Sequence, residues 1–375
     1  QIYLFFLILF VPLVHRCFII LGNGFSIDFL QHYASIVDAK ITDRVDVRNL
    51  FRLGDKISSP WDTKPGFLSY KTCPALWMLG ARPGNTVEES NALIEEIITC
   101  ANMFFDFVNE PGQKEKRLEM VSQGNDRLYL RAYSELIVYL RHLFSCYNLS
   151  ISDNNLRIFI EQEHSWGWLD FFKSISDKRY NKITVITYNY DIWLERILKA
   201  LEVPFFISGF DADMDGAVEI IKPHGSISFV PKDSIDSTYS INYNLDFDGS
   251  TVDQLMLQYC DLKKYDKGAI IPPAGDSSRL ETTAPWSHML KRKATEIAKQ
   301  IDAKDDVVLC GISYWHVDRR EVDELLINLN QDVEFTFINP SPPRDLNAVL
   351  MSIFKNYVHQ SSSSHIGGIL NGKII

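Results

Sequence analysis

Three short stretches carry the residue types that proton transfer or ligand positioning needs. The first is Lys222-Pro223-His224-Gly225-Ser226, which follows the apolar strand Val218 to Ile221. A histidine between Pro and Gly sits on a rigid loop, and imidazoles as a class titrate near neutrality, which suits general acid–base work. The second is Thr187-Tyr188-Asn189-Tyr190-Asp191, which begins on the last residue of the run Ile183 to Thr187. A carboxamide both donates and accepts, so Asn189 could hold a ribose hydroxyl or a water, whereas Asp191 at such a junction reads first as a helix N-cap. The third is Gly22-Asn23-Gly24-Phe25-Ser26, after Cys17 to Leu21. Its glycines allow a sharp turn, and the N–H groups and positive end of the helix that follows favour a diphosphate. Ile27 stands where the dinucleotide fingerprint has its third glycine, so taken alone this stretch is equally a plain turn.

The elements that must place these stretches are strands of one sheet. Cys17 to Leu21 runs into the glycine turn and then helical spacing from Phe25 to Tyr33; Ile183 to Thr187 precedes a helical pattern over Ile192 to Leu201. Val307 to Cys310 leads through Gly311 into Val317 to Leu329, and Glu334 to Ile338 ends at Asn339-Pro340. Short unbroken apolar runs alternating with amphipathic helices predict an α/β fold, a Rossmann-like, doubly wound parallel sheet. Residues 17–47 form its first part and 181–345 the remainder. Residues 48–180 are too many for an ordinary crossover of about a dozen residues or more. Helical periodicity over Ala92 to Val108, Leu128 to Tyr147 and Leu156 to Ile175 makes them a mostly helical insertion. An irregular stretch, 231–267, reads as a flap or hairpin, and 346–375 as a C-terminal tail that frays from Ser361 onward.

Composition narrows the classes. With Lys plus Arg 38 against Asp plus Glu 48, the net charge of −10 speaks against direct nucleic-acid binding. The six cysteines are dispersed, with no C-x-x-C pair, so a zinc ribbon and a disulfide framework are both excluded and a reducing, cytoplasmic setting is expected. Residues 1–16 are largely apolar, but His15 and Arg16 interrupt them before the length of about 20 that a spanning helix needs. A packing segment before the first core strand is the preferred reading, with a membrane anchor as the lesser alternative. Trp166, Trp168, Trp286 and Trp315 read as core or interface, His288 and His316 have no supporting pattern, and Lys291 to Lys293 reads as a solvated helix face.

Taken in order, the glycine turn with Phe25-Ser26, Thr187-x-Asn189-x-Asp191, His224-Gly225-Ser226, Gly311-Ile312-Ser313 and Ile338-Asn339 resemble the sirtuin-like NAD-binding superfamily. The resemblance spans Cys17 to about Ser341. It implies NAD+ as the bound molecule, with Gly22, Asn23, Gly24, Phe25 and Ser26 at the diphosphate and ribose, and Asn189 and His224 as the catalytic pair. Thr187, Asp191, Gly225 and Ser226 would flank them, Gly311, Ser313 and Asn339 would line the adenosine half, and Asp28 would stand behind the site.

The chain departs from the family's protein deacetylases, which carry a four-cysteine zinc module and an Ile-Pro-Asp-Phe-Arg stretch. Here no paired cysteines exist, so no zinc is expected, and Ser26-Ile27-Asp28-Phe29 supplies no Arg. With its helical insertion it looks most like the zinc-free sirtuin-like effectors of bacterial antiphage defence, which hydrolyse and deplete NAD+. The resemblance therefore implies an NAD+ glycohydrolase, restrained by homo-oligomer assembly or by a sensor or ATPase partner from the same defence system. The alternatives are an NAD-dependent deacylase or ADP-ribosyltransferase, and a catalytically silent nucleotide-binding module.

Overall fold

In the computed structural model, residues 15–59, 64–109, 127–177, 180–232, 251–264, 268–272, 284–314 and 316–366 are described. Strand β1 (Arg16–Leu21) is buried along its apolar run, and it pairs in parallel with β2 (Lys182–Thr187) on one side and β7 (Asp306–Cys310) on the other. Strands β3 (Phe205–Ile207) and β4 (Val218–Ile221) extend the sheet past β2, and β8 (Glu334–Ile338) and β9 (Asn356–Gln360) extend it past β7. The order β3-β4-β2-β1-β7-β8-β9 is parallel throughout. This is the doubly wound, Rossmann-like sheet the apolar runs predict. Continuous burial along β1, β2, β4 and β7 is what a sheet covered on both faces requires.

The register decides where the site lies. Leu21 is opposite both Thr187 and Cys310, and Cys310 is opposite Ile338. The loops that begin at Gly22, Tyr188, Gly311 and Asn339 therefore leave the sheet side by side. From β1 the chain passes to β2 on one side, while β7 lies on the other, so the carboxyl rim of β1 is a topological switch point where a crevice opens.

Helix α1 (Asn23–Ile36) turns Phe25, Phe29 and Tyr33 inward at spacings of four. Phe25 packs against Trp166 and Trp168 with ring centroids 5.7 and 5.5 Å away, and Phe29 against Phe159 at 5.4 Å. Burying each of these rings stabilises the fold by roughly 1.5–3 kcal/mol. The insertion supplies α2 (Pro74–Met78), α3 (Val87–Asn109), α4 (Leu128–Leu149), α5 (Asp153–Gln162) and α6 (Gly167–Lys173). The single helix expected over Leu156 to Ile175 is two, because the Glu163 carboxylate bonds the Ser165 and Trp166 N–H groups and starts α6 afresh. Buried Glu135 of α4 accepts from the Ala75 and Leu76 N–H groups, closing the start of α2.

Beyond β2 come α7 (Trp193–Ala200) and α8 (Pro285–Ala298), and beyond β7 come α9 (His316–Asn328) and α10 (Arg344–Ile353). Within the expected flap, β6 (Leu255–Leu257) pairs antiparallel with β5 (Phe229–Pro231); 233–250 and 265–267 lie outside the described residues, as do 1–14 of the apolar N-terminal segment and Trp315.

The tail differs from expectation. Its residues supply most of α10 and the edge strand β9, and Ser363, instead of fraying, is buried at the start of α6, where its carbonyl occupies the space of a Gly167 Cβ. Residues 367–375 lie outside the described part. No helix among the described residues is long and apolar enough to cross a membrane.

Candidate active site

At the switch point two loops cross in backbone contact. Gly22 N–H donates to the Cys310 carbonyl at 2.9 Å and Gly24 N–H to that of Gly311 at 3.0 Å. A Cβ on Gly24 would stand 2.3 Å from the Gly311 Cα, and one on Gly22 would stand 2.6 Å from the Gly311 carbonyl oxygen. Gly311 itself has φ +65°, a left-handed conformation that disfavours any side chain. The glycines thus serve first to let the β1 and β7 loops touch. The Gly24 N–H, expected to point at a diphosphate, is engaged by Gly311.

Asn189 is fixed by three contacts. Its backbone N–H donates to Thr187 Oγ1 at 3.2 Å, and its Nδ2 donates to the Gly22 carbonyl and to Ser26 Oγ, both at 3.0 Å. Because the Gly22 carbonyl only accepts, the amide nitrogen must face it, which leaves Oδ1 as the acceptor of this cavity-lining amide. Ser26 Oγ in turn donates to Asp191 Oδ2 at 2.6 Å, and Asp191 Oδ1 accepts from the Trp193 N–H that opens α7. The N-cap position itself falls on Ile192, so Asp191 meets the first helical N–H from one residue before the cap its position suggested. Burial raises its pKa, against the opposing pull of Lys222 and the Ser26 hydrogen bond.

His224 is 2% exposed. Gly225, at φ +84°, allows its loop to press onto the 268–272 segment, since a Cβ there would lie 1.8 Å from the Ala269 carbonyl oxygen. The His224 carbonyl accepts from Ile271 N–H at 2.9 Å, and the Tyr188 ring meets the imidazole edge-on at 4.8 Å. On the other side, Nε2 lies 2.9 Å from Glu321 Oε2, and Glu321 Oε1 lies 2.6 Å from Lys291 Nζ. Burial alone would raise the Glu321 carboxyl; His224 and Lys291 outweigh it and hold it at about 2. An ionised carboxylate cannot donate, so Nε2 carries the proton in this contact, and in the neutral imidazole the lone pair then falls on Nδ1.

Asn189 and His224 line one cavity of about 330 Å³, together with Gly22, Asn23, Tyr188, Asp191, Gly311 and Ser313. That volume is at the small end of the range for ligand pockets. Val47 and, from the insertion, Arg48, Leu50, Asn91 and Phe144 also line it. Asn23 Nδ2 holds this wall through the Val47 carbonyl at 2.7 Å.

Other residues expected at the ligand stand behind the cavity. Phe25 is in the core, Thr187 and Ser26 hold Asn189, and Ser226 accepts from the Ser228 N–H and hydroxyl. Asn339 bonds the Ile312 carbonyl and the Ser341 N–H, fixing the β7 and β8 loops to each other. Asp28 faces away from these residues. Two residues beyond Ser26 it lies about 200° around the helix, where it accepts from Trp166 Nε1 and Ser363 Oγ, so it takes no part in the cavity.

Sequence reading missed Glu321, Arg48 and Asn91. It also misread Lys291 to Lys293: Lys291 reaches Glu321, partly exposed Lys293 reaches buried Glu219 at 2.9 Å, and Arg292 is the fully solvated one, beside Glu296. No group of three or more His, Cys, Asp or Glu that could hold a metal ion occurs among the described residues. No protein-family model matches the chain, and no curated protein matches it significantly.

Proposed function

We propose that the chain is a sirtuin-like NAD+ glycohydrolase that cleaves the bond between nicotinamide and ribose. The observation that carries this reading is the meeting of Asn189 and His224 on one cavity at the sheet's switch point, each with its orientation set by protein partners.

The glycosidic bond breaks with its electron pair going to nicotinamide, which leaves neutral, so no acid is needed at the leaving group. The ribose is left with oxocarbenium character, and a water adds to it. Asn189 Oδ1 accepts a hydrogen bond from a ribose hydroxyl or from the incoming water and holds it in place. His224 Nδ1 takes the proton that the hydroxyl or water gives up. The imidazolium then faces the Glu321 carboxylate, which stabilises it. Arg48, the single Lys or Arg among the described lining residues, supplies positive charge for a diphosphate. Depletion of NAD+ as a bacterial defence response, held in check by assembly or a partner, is the physiological role that fits this chemistry.

The test is incubation of the purified protein with NAD+ and measurement of free nicotinamide, with and without an acylated peptide. Release without peptide is expected. Release that requires peptide would make the protein a deacylase or transferase, and binding without release a silent module.

A further inference from the structure

Glu321 and Lys291 stand outside the family pattern described above, yet they are the groups that decide how His224 is presented. Glu321 is 5% exposed and uses both oxygens, one on His224 Nε2 at 2.9 Å and one on Lys291 Nζ at 2.6 Å. The three side chains come from the β4 loop, α9 and α8, so the chain brings them together only in the folded state. Among the described residues no hydrogen bond is made to His224 Nδ1, and the ring lines the cavity.

We propose that Glu321, clamped by Lys291, is a positioning residue that fixes the tautomer and ring orientation of His224, so that Nδ1 faces the cavity as the proton acceptor. The inference rests on the reading of the cavity as an NAD+-cleaving site. A carboxylate held at one end by an ammonium group cannot rotate away from the imidazole, and with its charge partly neutralised by Lys291 it leaves the transferred proton on the histidine. In the step itself the O–H bond of the ribose hydroxyl or water breaks and the Nδ1–H bond forms; Nε2 keeps its proton throughout. This is the logic by which a buried carboxylate orients a catalytic histidine without becoming protonated. Where such a partner supports a metal-ligating histidine its loss typically costs about 10- to 100-fold, and the same order is expected for this metal-free pair.

The experiment compares the parent with Glu321→Gln, Glu321→Asp and Lys291→Met. NAD+ turnover is measured beside the tautomer of His224 by nitrogen NMR on histidine-labelled protein. ADP-ribose binding serves as the check on folding. The parent is expected to show the neutral Nε2–H form. Glu321→Gln is expected to lose about 10- to 100-fold in kcat with KM within about twofold, and to populate both tautomers. Glu321→Asp should fall between it and the parent, and Lys291→Met should move turnover and tautomer the same way by less.

Turnover by Glu321→Gln within about twofold of the parent, or an Nδ1–H tautomer in the parent, would overturn the inference while leaving NAD+ cleavage intact. If Glu321→Gln does not fold, Lys291→Met decides by the same two readouts. If the parent releases no nicotinamide, NAD+ cleavage fails instead, and the tautomer comparison alone decides whether Glu321 positions His224.

Discussion

Gly24 and Gly311 occupy each other's side-chain space: a Cβ on either would lie 2.3 Å from the Cα of its partner. The contact locks the end of β1 to the end of β7 and so forms one corner of the cavity. Gly311→Ala adds a methyl group against backbone and at φ +65°, both unfavourable. It is expected to lower unfolding free energy by about 1–3 kcal/mol in urea titrations. Unchanged stability would mean that the two loops can part without consequence.

Arg48 lines the cavity, and no carboxylate pairs with its guanidinium among the described residues. If it receives a diphosphate, Arg48→Ala should raise KM for NAD+ by roughly tenfold or more, the worth of a charge-assisted hydrogen bond. Turnover of nicotinamide riboside, which lacks the diphosphate, should be unaffected. An equal effect on both substrates would remove Arg48 from the phosphate site.

Glu321 also makes a pH prediction. Its folded-state value of about 2 lies below the ordinary 4.5, so its ionisation stabilises the fold above that ordinary range. The contribution is lost as pH falls from about 4.5 toward about 2. The difference in unfolding free energy between the parent and Glu321→Gln should therefore shrink by about 2 kcal/mol between about pH 6 and pH 3. A difference that stays constant over that window would contradict the ion-pair arrangement.

Asp28 bonds Trp166 and Ser363 and does not reach the cavity. Asp28→Asn is expected to cost about 1–3 kcal/mol of stability, through loss of charge-assisted hydrogen bonds. Nicotinamide release at a temperature where the variant is folded should match the parent. A large fall in turnover without a fall in stability would return Asp28 to the site.

What the sequence displayed and what it concealed follow from range. ITVIT followed by Thr187 to Asp191 is a local signal, because an apolar run and the polar turn at its end are neighbours along the chain, and the parallel register then brings those turns together. Glu321 is 97 residues from His224 and 30 from Lys291, and each sits on a helix whose inward face is chosen by packing. Nothing local marks them. The same holds for Asn91 and Phe144, which reach the cavity only because the insertion folds against the β1 loop. Strand β9 escaped for a different reason: NYVHQ is polar and partly exposed at the sheet edge, so it lacks the apolar run that marks the inner strands.

The most direct measurement is nicotinamide release from NAD+ by the parent, Asn189→Ala and His224→Ala, with ADP-ribose binding followed in parallel. The account expects steady release by the parent. Each variant should lose at least about 100-fold in kcat while still binding ADP-ribose. Release by either variant at the parent's rate, or none by a parent that binds ADP-ribose, would contradict it.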